Sequence, residues 1–102
     1  MADAPIGIFD SGFGGLTVAR SVIDQLPHES VLYLGDTARV PYGPKSPETV
    51  RRYAREASRF LRRQDVKMMV VACNTVSSVA MEAMEEGAGV PVVGVILPGA
   101  RR

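Results

Sequence analysis

Met68-Met69-Val70-Val71-Ala72-Cys73-Asn74-Thr75 is the stretch on which the fold is decided. Five apolar residues run without polar alternation, so the segment is a strand covered on both faces, as in the middle of a parallel sheet. A thiol, an amide and a hydroxyl follow at once, and helical spacing begins behind them. Working outward, residues 6–9, 31–34 and 92–96 form three further short runs rich in β-branched or aromatic side chains. Each reads as another buried strand.

Helical segments separate the four runs. Val50, Tyr53, Ala54, Ala57, Phe60 and Leu61 fall on one stripe of a helix. Ser46 suits its N-cap, Pro47 its first turn, and Glu48 complements the dipole there. Val76, Val79, Ala80, Ala83 and Met84 mark a single helix after Thr75 that ends near Gly87-Ala88-Gly89. The helix expected over about 15–25 offers Leu16, Ala19, Ile23 and Leu26 as its apolar side before Pro27 ends it. Strands alternating with helices define an α/β domain with an open parallel sheet of about four strands and right-handed crossovers.

Composition removes several alternatives. The 102 residues are 46% hydrophobic with a formal net charge of +1, which excludes a disordered chain and disfavours a general nucleic-acid binder. Arg51, Arg52, Arg55, Arg59, Arg62 and Arg63 make one helix basic, but Glu48 with Arg52 and Glu56 with Arg59 have the spacing of ion pairs on a solvated face. A single Cys forms no internal disulfide, and no run approaches the roughly 20 apolar residues of a membrane span. A cytoplasmic location with no membrane partner is the expectation. One Cys and one His do not supply a usual metal ligand set, so no metal site is expected.

Ligands of open parallel sheets sit at the carboxyl ends of the strands. Asp10-Ser11-Gly12-Phe13-Gly14-Gly15, Gly35-Asp36-Thr37 and Cys73-Asn74-Thr75 all fall there. Cys73 next to a helix start is a nucleophile, a base for proton transfer, or a small side chain filling core space. Asn74 and Thr75 either hold a carboxylate or cap the helix. Asp10 and Ser11 either orient a ligand or shape a turn. The glycine loop is not a Walker A sequence, and Thr17 breaks the dinucleotide fingerprint begun by Gly12 and Gly14. Pro41-Tyr42-Gly43-Pro44 is a stiff turn able to present Tyr42 and the Gly43 backbone to a pocket.

Three blocks together carry a resemblance: residues 6–18, with IGIFDSGFGGLTV; residues 35–43, with GDTARVPYG; and residues 70–75, with VVACNT. They resemble the amino-terminal part of the aspartate/glutamate racemase family, and the likeness continues through Pro91 to Ile96 and Pro98-Gly99. The resemblance implies cofactor-independent interconversion of L- and D-glutamate for supply of peptidoglycan precursors. It implies Cys73 as the thiol base for one face of the α-carbon, with Asp10 assisting. Ser11, Tyr42, Gly43, Asn74 and Thr75, together with Asp10, would hold the substrate.

Full-length members have two similar domains with the site between them, the second supplying another Cys followed by Thr and His. Residues 1–102 therefore correspond to one amino-terminal domain, expected to be truncated near the domain junction, and Leu97 stands where many relatives have Glu. By itself such a chain is expected not to racemise glutamate. A non-catalytic binding module that recruits a partner or a second copy of itself, and a racemase of another small acidic amino acid, are the alternatives.

Overall fold

The computed structural model describes residues 3–11, 15–39 and 42–95. The four apolar runs form β1 (Ile6–Asp10), β2 (Val31–Gly35), β3 (Met68–Val71) and β4 (Val92–Gly94), and all neighbouring pairs are parallel. Their order across the sheet is β2-β1-β3-β4. The chain moves one way from β1 and, after β2, crosses back to β3 on the other side of it. The direction therefore switches between the carboxyl ends of β1 and β3, the place where an open sheet leaves a crevice. Asp10 lies inside β1, paired with Gly35, rather than just beyond the strand. Ala72 falls after β3 but is fully buried, and Ile96, expected at the end of the fourth strand, lies outside the described residues.

The two sheet faces are covered unequally. Phe9, Met69 and Val71 point towards α2 (Pro47–Arg63) and its neighbours, where Val50, Ala54, Leu61, Val76 and Met84 are inaccessible to solvent. Ile6, Ile8 and Val70 face α1 (Gly15–Gln25). The expected apolar side of α1 holds at Ala19 but not at Leu16, Ile23 or Leu26. Val18 and Ala19 are buried with Val22 against them, whereas Leu16, Ile23 and Leu26 are exposed at 67%, 49% and 48%. The helix carries apolar residues over a wide arc, of which the sheet covers the side holding Val18, Ala19 and Val22.

Local chemistry explains α2. Ser46 accepts a hydrogen bond from the Thr49 amide at 3.1 Å, Pro47 occupies the first turn, and Glu48 sits at the positive end of the dipole.

The helix expected after Thr75 is broken into α3 (Asn74–Val79) and α4 (Met81–Ala88). Ala80 bends the chain with φ −139°, although its amide still donates to Val76 and its carbonyl accepts from Met84. Thr75, Val76, Ser77, Ser78 and Val79 have weak helix propensity, so little local energy opposes a bend that tertiary packing favours. Both pieces then lie on α2. Arg51 Nε donates to the Val79 carbonyl at 3.1 Å and Arg55 meets Glu86 at 3.2 Å, while the buried Ser58 hydroxyl donates to the Met84 carbonyl at 2.7 Å. Glu56 is engaged by Arg39 at 2.6 Å rather than by its helix neighbour Arg59. Gly89, at φ 67°, ends α4 in the left-handed region that a glycine adopts without strain.

Candidate active site at the sheet switch point

Strand β1 delivers Asp10 and Ser11 to the switch point, and β3 delivers Cys73 through the single buried residue Ala72. Main-chain bonds fix the geometry: the Ala72 amide donates to the Phe9 carbonyl at 2.8 Å, and the Asp36 amide donates to the Asp10 carbonyl at 2.9 Å. Cys73 has an extended backbone and occupies the N-cap position of α3, without capping it through its side chain. Its Sγ instead donates to Ser11 Oγ at 3.2 Å. Asp10, Ser11 and Cys73 are 1%, 6% and 4% exposed. Three buried polar side chains thus stand at neighbouring strand ends of an apolar sheet, where burial requires each to find a partner, and Cys73 and Ser11 find each other.

Asp10 has a partner not anticipated from sequence. Tyr33 Oη donates to Asp10 Oδ2 at 2.6 Å. Burial, that hydrogen bond and the nearby Asp10 charge push the Tyr33 phenol up to about 12, so it remains a donor at neutral pH. A tyrosine two residues before a glycine on a strand was the available signal, since the pair shares one face and the glycine leaves room for the ring.

The 3₁₀ turn Thr37–Arg39 and the Tyr42-Gly43 segment form the adjoining wall. The Tyr42 ring is buried, 6.3 Å from Phe9 and 5.2 Å from Tyr53, and its hydroxyl donates to Asp36 Oδ2. Arg39 Nε donates to the same oxygen at 2.9 Å, and its guanidinium lies 3.8 Å over the Tyr53 ring. Burial first, then the Asp36 bond and charge, hold the Tyr42 phenol well above the ordinary tyrosine range, with Arg39 opposing in part. Burial works against the Arg39 charge, but its bonds to Glu56 and Asp36 outweigh that and raise its pKa, so it stays cationic.

Tyr42 therefore shares the core with Cys73, while its hydroxyl is committed to Asp36. Gly43 is exposed and adjoins Thr75: a Cβ there would stand 4.0 Å from Thr75 Oγ1. Asn74 and Thr75 are half-buried at the start of α3. The buried trio of Asp10, Ser11 and Cys73 is thus flanked by an accessible backbone and two polar side chains. Among the described residues no group of three His, Cys, Asp or Glu is placed to hold a metal ion, and no helix is long and apolar enough to cross a membrane.

The sheet order and the buried Cys73–Ser11 pair at its switch point define an open-sheet α/β domain with a thiol at its carboxyl edge. Residues 9–102 match the Asp/Glu/Hydantoin racemase family model, and the chain belongs to that family. It is 62% identical over 97 residues to a glutamate racemase of Geobacter metallireducens, covering 95% of this chain and 36% of that protein. A glutamate racemase of Francisella tularensis solved in complex with D-glutamate superposes with a TM-score of 0.89 at 43% identity, over 92% of this chain and 36% of the other. The Thermus thermophilus glutamate racemase solved with beta-chloro-D-alanine gives 0.86 at 53% identity, over 99% and 42%. The chain thus spans little more than a third of the curated relative's length.

Proposed function

We propose that these residues are the amino-terminal domain of a glutamate racemase, and that Cys73 is the acid or base for one face of the substrate α-carbon. The observation that carries the reading is the Cys73 thiol, buried and 3.2 Å from Ser11, in a domain so close in sequence and fold to glutamate racemases.

The chemistry follows from what the α-proton requires. As a thiolate, Cys73 takes that proton, and the electron pair left on carbon spreads into the substrate carboxylate. Donors placed where this charge grows lower the barrier. The Gly43 amide, Asn74 and Thr75 are those donors in this reading, with Ser11 holding the thiol and Asp10 assisting the proton transfer or meeting the ammonium group. Tyr42 acts through Gly43: its buried ring and the bond to Asp36 hold the segment in place. Inversion needs a proton returned to the opposite face, the task of a second thiol from a further domain. No cofactor enters this scheme. Production of D-glutamate in the cytoplasm, for peptidoglycan precursors, is the cellular role it implies.

The test is proton NMR of α-hydrogen exchange in deuterated buffer, with D- and L-glutamate offered separately to this chain and to Cys73→Ala. Exchange of one enantiomer, without net racemisation and lost in Cys73→Ala, is the expected result. Exchange that survives in Cys73→Ala, or none with either enantiomer, overturns the assignment of a working half-site to these residues.

A further inference from the structure

We infer that Tyr33 is a positioning residue for the chemistry, orienting the Asp10 carboxylate from the neighbouring strand. The inference rests on the proposed role of Asp10. Parallel register sets Ile8 beside Tyr33 and Asp10 beside Gly35, so all four residues belong to one face of the sheet. Gly35 leaves empty the place where a side chain beside Asp10 would stand. The Tyr33 ring lies across that place: a Cβ on Gly35 would come within 3.2 Å of Tyr33 Oη and 3.3 Å of its Cε2. The phenol thereby reaches Asp10 Oδ2 at 2.6 Å.

This contact is directional. A carboxylate at the end of a strand turns about its last torsion, a soft, two-fold rotation. A donor fixed to one oxygen defines the carboxylate plane and hence where the other oxygen points. The donor itself stands on a strand, and its half-buried ring runs close past Gly35 to reach the carboxylate. The phenol also keeps its proton throughout the neutral range. Tyr33 thus supplies a constant hydrogen bond and does not exchange protons with the substrate.

A structural role alone would affect stability and leave the chemistry alone, so the test separates the two. Tyr33→Phe retains the ring and deletes the donor; Gly35→Ala retains the donor and displaces it. For both, exchange of the reactive glutamate enantiomer is expected to fall about tenfold at saturation, the cost of about one hydrogen bond, with KM within about twofold. Thermal melts establish that each variant is folded at the assay temperature. Ultraviolet titration of the tyrosines in Asp10→Asn gives an independent readout: the phenol that titrates near 12 moves back towards the ordinary value near 10.

Wild-type exchange rates in folded Tyr33→Phe, or an unchanged titration in Asp10→Asn, overturn the inference. Full exchange in Asp10→Asn, or none in the unaltered chain, instead removes the role of Asp10 on which it rests.

Discussion

Replacing Tyr42 by Phe tests whether the wall of the site is held by the Asp36 hydrogen bond or merely by ring packing. The substitution keeps the buried ring and its contacts with Phe9 and Tyr53, and removes only the donor to Asp36. A hydrogen bond to a charged group contributes about 1.5–3 kcal/mol. The Asp36 side chain is 16% exposed and keeps Arg39, so the low end, about 1.5 kcal/mol, applies. For about 100 residues the unfolding entropy is roughly 0.2 kcal/mol per degree, which converts that loss into a fall in Tm of about 7 °C.

Circular dichroism melts and urea titrations of the chain measure it. A double-mutant cycle with Asp36→Asn isolates the pair, with an expected coupling of about 1 kcal/mol. A fall below about 2 °C, or additive effects of the two substitutions, would refute the reasoning. It would mean that Arg39 and water satisfy Asp36 without the phenol.

Gly7→Ala should cost about 1–3 kcal/mol by overpacking, because its Cβ would stand 3.0 Å from Val66 Cγ1 and 3.2 Å from Leu61 Cδ2; urea unfolding at unchanged slope is the check. Stability should also decline in alkali. The unfolded chain loses phenol protons near pH 10, while folded Tyr33 holds its own to about 12, so rising pH favours unfolding across that interval. The stability difference between the unaltered chain and Tyr33→Phe should therefore be constant below pH 10 and shrink towards pH 12, and a difference that grows there would contradict the assigned pairing.

Much of this was legible in the chain because it is local. Unbroken apolar runs, the stripe from Val50 to Leu61 and the Ser46 cap each lie within a few residues of one another, and each emerged as the element it predicts. The concentration of Asp10, Ser11, Cys73 and Asn74 at strand ends was equally visible, because a parallel sheet gathers all its carboxyl ends on one edge.

Contacts between elements were not visible. Of the expected stripe Leu16, Ala19, Ile23 and Leu26 only Ala19 is buried, and it is contact with the sheet, not spacing along the helix, that adds Val18 and Val22 instead of the other three. The bend at Ala80 follows from seating both α3 and α4 on α2, which no periodicity records. Tyr33 reaches Asp10 and Arg39 reaches Glu56 across separations of 23 and 17 residues, with no spacing rule to announce them. Sequence alone determined the strands, the helix from Pro47 to Arg63 and which chemistry stands at the strand ends. The strand order β2-β1-β3-β4 decided which of those groups meet, because hydrogen-bond partners are chosen by proximity in the folded sheet and not by distance along the chain.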